Sequence, residues 1–348
     1  MTNYSLRSES FLIRENYLYL IDAGRSKNGE HLLKKYGCKS ILDCFVISHG
    51  DNDHIGLANI VIEELEPEII ILSPLVYILE KFRFTFNPVN LNIPRLFGDE
   101  YSENIELIED IDKNEYNENR IGAVYLQKNT SNISENWKIN NNSRKEFEAF
   151  PTLKACYYTK LINDFIVKVS SYTSSTPSWI NAVNSHELIK DLRNGKLLRV
   201  KKYNLNKTNF SLMWNEIETA ILKKLKNEMS LVCRIGSTYF TGDATKKQLQ
   251  EIENVLFSQS KSLGKITIKI NHHGSVNSKY EYLDFYKKMQ PTQLLLKRDY
   301  QIQGSKTSPK PRFDNYVKNL EGIVSKKGLI DSKVAENQGR NFEWFKTF

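Results

Sequence analysis

The sequence predicts an α/β fold, in which buried strands alternate with helices. Three apolar runs of strand length indicate this class, because each ends abruptly in polar residues, as buried strands do. These runs lie at residues 45–48, 231–240 and 266–270. Helices are expected at 55–64 and 246–257, each a few residues after one of the first two runs.

The composition fits one large domain spanning residues 1–348, since 40% of the residues are hydrophobic and can form a sizeable core. Residues 114–144 are polar and rich in Asn, without apolar periodicity, and they predict a polar insertion around residues 100–160. This insertion fits a decoration without a catalytic role better than a lid over a site, and it could also contact a protein partner. The net charge of +8 is compatible with a polyanionic substrate, although many proteins without a nucleic-acid role have as much.

The four cysteines have neither the spacing of a disulfide framework nor that of a zinc site. The first residues lack the charged and apolar regions of a signal peptide. No apolar run approaches the ~20 residues that a membrane-spanning helix needs. We therefore expect a cytoplasmic protein with no part in a membrane.

The turn after the first apolar run concentrates side chains that bind metals. His49, Asp51, Asp53 and His54 fall within six positions, and they supply imidazole nitrogens and carboxylate oxygens. One pocket could use His49 and Asp51, and its neighbour Asp53 and His54, with two cations about 3.5–4 Å apart. Any single Asp here could instead cap a helix in a surface turn. The whole cluster favours metal binding.

Two later runs also end in potential ligands. Asp243 follows the run at 231–240, and His272 and His273 follow the run at 266–270. Open α/β folds place their sites beyond the carboxyl ends of strands, so we expect these residues to converge on the first turn. Asp22 ends another short strand, and it is either part of this site or an ordinary turn residue.

Four segments together resemble the metallo-β-lactamase superfamily, and within it the soluble nuclease-like domain of ComEC-type competence proteins. They are Leu20-Ile21-Asp22-Ala23-Gly24, Ser48-His49-Gly50-Asp51-Asn52-Asp53-His54-Ile55-Gly56, Thr241-Gly242-Asp243 and His272-His273-Gly274-Ser275. The resemblance covers roughly residues 10–320. It implies an αββα four-layer sandwich, with two sheets face to face and helices outside.

The resemblance also implies a role for each motif residue. His49 and Asp51 would hold one divalent ion; Asp53, His54 and His273 would hold the other; and Asp243 would bridge them. Asp53 would also take a proton from the attacking water, made nucleophilic by the metal, and His272 would stabilise an oxyanion or support a ligand. Asp22 and Ser275 would orient the ligands. Zn²⁺ and Mn²⁺ are the expected ions, and Asp51, where most relatives have His, favours Mn²⁺ relative to an all-His site.

The chain departs from the family pattern in two places. Most relatives have another His between the metal turn and the bridging Asp, and here His186 stands in a predicted helix without a motif around it. The first ion is therefore expected to have fewer protein ligands. The second departure is Thr307-Ser308-Pro309, which replaces a His-Pro step.

The function that these motifs favour is a metal-dependent phosphodiesterase or nuclease acting on nucleic acid or a nucleotide. Basic and hydroxyl residues after the last predicted strand could contact phosphates or form a solvated rim; they are Lys297, Lys306, Ser308 and Lys310. Two alternatives remain open. One is a metal-dependent hydrolase of a small ester, lactone or peptide-like bond. The other is a non-catalytic subunit with a degraded first metal pocket.

Overall fold

A computed structural model of the chain shows a mixed α/β fold with two mixed sheets and helices, so the predicted α/β class is confirmed. The structure describes residues 2–6, 10–24, 42–73, 75–77, 101–104, 124–128, 146–150, 227–258, 264–274, 282–297, 310–332 and 342–345. Statements about structure below concern these residues.

The first sheet has eight strands among the described residues. They are β1 (Thr2–Leu6), β2 (Ser10–Arg14), β3 (Leu18–Ile21), β4 (Cys44–Ile47), β5 (Ile69–Leu72), β6 (Tyr101–Asn104), β7 (Val124–Lys128) and β14 (Phe342–Phe345). Their order is β14-β1-β2-β3-β4-β5-β7-β6. β4 runs parallel to both β3 and β5, and the other pairs are antiparallel. A central parallel strand is covered on both faces, which explains why all of β4 is apolar and buried.

The second sheet has six strands in the described ranges. They are β8 (Phe147–Phe150), β9 (Val232–Ile235), β10 (Thr238–Phe240), β11 (Thr267–Lys269), β12 (Gln293–Leu296) and β13 (Leu329–Asp331), in the order β13-β12-β11-β10-β9-β8. The strands from β10 to β13 are parallel, so their carboxyl ends lie at one edge of the sheet. The predicted hairpin at 231–240 is β9 and β10, which pair antiparallel.

The described helices are α1 (Asn52–Ile55), α2 (Ala58–Leu65), α3 (Lys246–Ser258), α4 (Leu283–Met289) and α5 (Lys310–Gly328). Helix α3 begins where it was predicted to. The side chain of Gln248 accepts a hydrogen bond from the backbone N–H of Thr245 at 2.9 Å, which satisfies a donor at the helix start. The predicted helix at 55–64 is instead divided between α1 and α2. In the part of the chain that the structure describes, no helix is long and apolar enough to cross a membrane.

The two sheets pack face to face around a shared core. Phe11 of the first sheet contacts Phe240 of the second, with ring centroids 5.6 Å apart, and Tyr19 stacks near Phe147 in the same core. A second core fills the outer face of the second sheet, where side chains of α3, α4 and α5 pack against β10, β11 and β12. Burial of these two apolar layers is the main favourable contribution to folding.

Three described strands lie in the region that the sequence predicts as a polar insertion. β6 and β7 lie in it, and β7 pairs with β5 from Ile69–Gln127 to Leu72–Val124. β8, at 147–150, belongs to the second sheet. These three segments of residues 100–160 are therefore parts of the two sheets, and the stretch 114–144 contains a strand where loops were expected.

The carboxyl ends of β3, β4, β10 and β11 meet where the two sheets face each other. The N–H of Leu231 in the second sheet donates to the carbonyl oxygen of Ser48 in the first, at 2.8 Å. The hydroxyl of Ser73 donates to the carbonyl oxygen of Met229 across the same boundary, also at 2.8 Å. These contacts fix the distance between the turns that carry the potential ligands.

Candidate metal centre

Three buried side chains from the two sheets converge at this edge. His49 and His54 follow β4, and Asp243 follows β10; their exposed fractions are 1%, 0% and 2%. The Nε2 atom of His49 lies 3.5 Å from Asp243 Oδ2, and the Nε2 atom of His54 lies 3.7 Å from Asp243 Oδ1. The prediction that the strand ends come together is thus confirmed for these three residues.

The converging atoms are suited to a cation. Among the residues that the structure describes, His49 Nε2, His54 Nε2 and Asp243 Oδ1 have no hydrogen-bond partner, although all three are buried. Buried polar atoms almost always have a partner, because leaving one without costs roughly 1–3 kcal/mol. Two imidazole nitrogens and a carboxylate oxygen are common ligands of Zn²⁺ and other divalent ions. The donor set therefore fits a metal ion.

Asp22 and Ser48 determine which ring nitrogens face Asp243. Asp22 accepts hydrogen bonds from the N–H and the hydroxyl of Ser48, and from Nδ1 of His54, each at 2.7 Å. The Ser48 hydroxyl oxygen lies 3.0 Å from Nδ1 of His49 and can accept its proton. Because both Nδ1 atoms are engaged in this way, each ring keeps its Nε2 lone pair for a cation.

Asp22 itself is 2% exposed and has a left-handed backbone, with φ of 55°. Its N–H donates to the carbonyl oxygen of Val46 at 2.7 Å, which ties the end of β3 to the end of β4. Asp tolerates this conformation better than most residues. The position of Asp22 agrees with its expected role as an acid that orients the metal turn.

A second group of potential ligands lies beside the first and consists of Asp53, His54 and His273. Nε2 of His273 is 2.9 Å from Asp53 Oδ2. His54 belongs to both groups, yet Asp22 engages its Nδ1, so one nitrogen remains for one ion. The two groups therefore compete for His54.

The predicted sharing of ions stays a prediction. Asp51 was expected to share an ion with His49, and its Oδ2 lies 3.8 Å from His49 Nε2, although it is in neither group among the described residues. Asp243 was expected to bridge two ions; it belongs to the first group, and its Oδ1 lies 3.7 Å from Nε2 of His54, a member of both groups.

His272 contacts the same carboxylate oxygen of Asp243 that His49 approaches. Its Nδ1 lies 2.6 Å from Asp243 Oδ2, and a fifth of its side chain is exposed (19%). His272, His273 and Gly274 have φ values of 47°, 52° and 70°, three left-handed residues in succession. Only glycine fits the last position, because a Cβ on Gly274 would lie 2.4 Å from Leu296 Cδ1. This turn directs His272 towards Asp243 and His273 towards Asp53.

The neighbouring imidazoles keep the carboxylates ionised. Burial raises the pKa of Asp243, but His272 and His49 lower it more, so it lies well below its ordinary value. Burial also raises the pKa of Asp53, and this is outweighed by the hydrogen bond with His273 and the proximity of His54, so its pKa is lowered too. Burial lowers the pKa of His49, but the carboxylates of Asp243 and Asp51 outweigh it and raise the pKa. The carboxylates are therefore ionised, which is the form that coordinates a cation.

The turn that carries Asp243 depends on Gly242 and Ser230. Gly242 has a φ of 50°, and its carbonyl oxygen accepts the N–H of His272 at 3.1 Å. The Ser230 hydroxyl accepts the N–H of Asp243 at 3.1 Å, and a Cβ on Gly242 would lie 2.4 Å from this hydroxyl. Glycine is therefore required between β10 and the ligand.

Two of the other predicted site residues lie among the described residues. Lys297 follows β12 at the same edge of the sheet and is buried, with 4% of it exposed. Lys310 is the first residue of α5. The remaining predicted residues lie outside the described ranges; they are Ser275, Lys306, Ser308 and His186.

Ser48 and Ser230 are site residues that sequence reasoning did not assign. The signal for Ser48 is a hydroxyl directly before the first ligand of the turn, where it can reach a ring nitrogen. Ser230 has no comparable signal, since it lies 13 positions before its partner Asp243.

Comparison with profiles of known protein families finds no match. Comparison with curated proteins finds no significant match either. The function is therefore argued from the site.

Proposed function

We propose that this protein is a metal-dependent hydrolase of the metallo-β-lactamase type that cleaves phosphodiester bonds in nucleic acid or a nucleotide. The observation that carries the proposal is the convergence of three buried ligand atoms without hydrogen-bond partners among the described residues: His49 Nε2, His54 Nε2 and Asp243 Oδ1. The two face-to-face sheets, with helices on the outer face of the second, support the αββα arrangement that this family implies.

His49, His54 and Asp243 would hold one divalent ion, and Asp53 with His273 would contribute ligands to a second. Zn²⁺ and Mn²⁺ both suit this mixture of nitrogen and oxygen donors. When bound, such an ion acts as a Lewis acid and lowers the pKa of water from 15.7 towards about 7.

Asp53 and His272 are the proposed catalytic residues, because each contacts the pocket and is accessible to solvent. The side chain of Asp53 is 17% exposed, so water can reach its carboxylate, which would accept a proton from it. The His272 ring, held through Nδ1 by Asp243, would hydrogen-bond a phosphoryl oxygen and stabilise charge that develops there.

The preference for a phosphodiester rests on cationic residues at the same edge. Arg312 is exposed in the first turn of α5, which packs against β12 and β13, whereas Lys297, directly after β12, is buried and would add positive charge beneath the surface. The net charge of +8 acts in the same direction.

Metal content tests the centre directly. Purified wild-type protein should contain bound Zn or Mn, measured by mass spectrometry. His49→Ala and His54→Ala should each lose the ion of the first group, and His273→Ala should lose the ion of the second. Asp284→Asn, at a largely exposed position on α4, serves as the control and should keep the wild-type content. A wild-type protein that binds neither ion when either is supplied contradicts the proposal.

Cleavage assays test the substrate. Wild-type protein with Mn²⁺ or Zn²⁺ should cleave single-stranded DNA, RNA or a cyclic dinucleotide, and Asp243→Ala should abolish the cleavage. Turnover of model esters or lactones without cleavage of any phosphodiester would support a small-molecule hydrolase. Bound metal with no turnover of any of these substrates would support a non-catalytic subunit.

A further inference from the structure

Asn271, the residue before the histidine pair, links the two turns of the site. It is buried, with 1% exposed, and its side-chain N–H donates to the carbonyl oxygen of Ala244 at 3.3 Å. Ala244 directly follows Asp243. The carbonyl oxygen of Asn271 accepts the N–H of Gly274 at 3.0 Å, which closes the turn that carries His272 and His273. One residue thus contacts both ligand-bearing turns.

Tyr286 of helix α4 holds Asn271 from the other side. Its hydroxyl donates to the side-chain oxygen of Asn271 and accepts the backbone N–H of the same residue at 3.2 Å. Tyr286 is fully buried and packs in the core between α4, α5 and the second sheet. The aromatic ring is therefore fixed by packing, and the hydroxyl has a defined position.

The two turns that Asn271 connects contain residues with left-handed backbone conformations. Gly242, His272 and His273 all have left-handed backbones, and non-glycine residues adopt them only when the surroundings impose them. The bond from the His272 N–H to the Gly242 carbonyl oxygen and the bond from Asn271 to Ala244 run side by side between the turns. Without the Tyr286 hydroxyl, the amide of Asn271 would be freer to rotate and release Ala244.

We propose that Tyr286 and Asn271 are a positioning pair for the metal centre: they set the distance between the Asp243 turn and the His272-His273 turn without contacting the metal or the substrate. The inference rests on the proposed metal centre. It adds a residue of helix α4, remote in sequence from every ligand, to the determinants of metal affinity.

Metal affinity of Tyr286→Phe is the main test. Removal of a group that orients metal ligands typically weakens binding by about 10–100-fold, and we expect a loss in this range. Tyr282→Phe is the matched control, because Tyr282 immediately precedes α4, is also buried, and donates its hydroxyl to Glu253 at 3.1 Å rather than to the site. The dissociation constant of Zn²⁺ is measured for both variants by competition with a chelating dye, at a temperature where each is folded by circular dichroism. Equal dissociation constants for the two variants overturn the inference.

A double-mutant cycle tests whether the two residues act together. Asn271→Ala and Tyr286→Phe should raise the dissociation constant of Zn²⁺ by similar factors. The double variant should have a dissociation constant no higher than that of the single variant that binds Zn²⁺ less tightly, because the two residues act together. If the fold change of the double variant equals the product of the two single fold changes, the residues act independently and the inference of a positioning pair is contradicted.

The metal-free protein gives a readout that separates this inference from the proposed function. The imidazole nitrogen resonances of His272 and His273 should shift in Tyr286→Phe and stay in place in Tyr282→Phe. If wild-type protein binds no ion but these resonances shift, the proposed function fails while the positioning pair stands. If wild-type protein binds the ion and Tyr286→Phe changes neither the resonances nor the affinity, the positioning pair fails alone.

Discussion

At the scale of single residues, Asp22 orients two imidazoles at once, one directly and one through Ser48. Its carboxylate accepts three hydrogen bonds at 2.7 Å, from the Ser48 N–H, the Ser48 hydroxyl and His54 Nδ1. Ser48 in turn lies 3.0 Å from Nδ1 of His49. An acid that only accepts is required here, because every partner donates.

We predict that Asp22→Asn weakens metal binding by about 10–100-fold. The amide has nearly the same shape, but it places an N–H₂ where His54 or Ser48 now donates, so one donor faces another. The measurement is the dissociation constant of Zn²⁺ by dye competition.

Asp43→Asn is the control for this prediction. Asp43 lies at the opposite end of β4 and accepts the N–H of Leu18 at 2.7 Å, so the same change breaks a comparable bond outside the site. It should lower stability without changing metal affinity. Equal losses of affinity in both variants would show that Asp22 acts only through stability.

Most potential ligands could be predicted one by one from the sequence. Which of them share an ion could not be predicted. His49, His54, Asp243 and His273 each follow an apolar run, which is a local signal. Their grouping depends on how two sheets face each other and on which nitrogen of each ring is engaged, and a sequence shows neither. The unforeseen sharing of His54 has this origin.

At the scale of elements, the turn between β10 and Asp243 has no room for a side chain. We predict that Gly242→Ala lowers the free energy of unfolding by about 2 kcal/mol or more. About 1 kcal/mol comes from the left-handed backbone, and the remainder comes from displacing the Ser230 hydroxyl and losing its bond to the Asp243 N–H. Urea unfolding measures the change.

Gly264→Ala separates the two contributions to that loss. Gly264 has a φ of 63°, close to that of Gly242, but a Cβ there would have nothing within 4 Å. It should therefore lose only the backbone contribution and should retain wild-type metal content, whereas Gly242→Ala should lose metal as well. Similar losses in both variants would mean that the close packing at Gly242 relaxes at little cost.

Helices α3 and α4 are joined by a buried carboxylate whose surroundings give a pH dependence. Glu253, 4% exposed, accepts the Tyr282 hydroxyl at 3.1 Å and Lys288 Nζ at 2.5 Å. Burial, followed by the hydrogen bond to Glu253, raises the pKa of Tyr282 from 10.0 to about 12. The folded protein therefore keeps the phenol proton at a pH where the unfolded chain loses it.

We predict that the contribution of Tyr282 to stability is complete below pH 10 and falls as the pH rises from 10 towards 12. In that window the unfolded chain releases the proton and gains stability relative to the folded state. The difference in the free energy of unfolding between wild type and Tyr282→Phe should decrease across the window, as measured by urea unfolding at several pH values. A constant difference contradicts the prediction.

The elements that sequence predicts correctly are those with local signals. β4, β11 and α3 have a continuous apolar run or an apolar stripe with a cap. β7 has a short apolar run, Val124-Tyr125-Leu126, but a polar, Asn-rich context surrounds it and its pairing with β5 is made across more than 50 positions of the chain. Its hydrogen bonds come from the fold and not from its own pattern.

At the scale of the whole molecule, metal binding should stabilise the folded protein. An ion that binds only the folded state adds about 2.7 kcal/mol at a free concentration 100 times its dissociation constant. We therefore predict that Zn²⁺ or Mn²⁺ raises the melting temperature and that a chelator reverses the increase, as measured by scanning calorimetry. His54→Ala, which removes a ligand of the first ion, should show a smaller increase; an increase as large as in wild type would indicate binding elsewhere.

The two sheets each contribute part of the ligand set, and this has a consequence for divided forms of the chain. His49 and His54 come from the first sheet, whereas Asp243 and His273 come from the second. A chain cut between residues 150 and 227 would give two fragments, each with an incomplete set of ligands. Tight metal binding would then require the fragments to associate, so the metal affinity of a mixture would measure how strongly one half of the protein recognises the other.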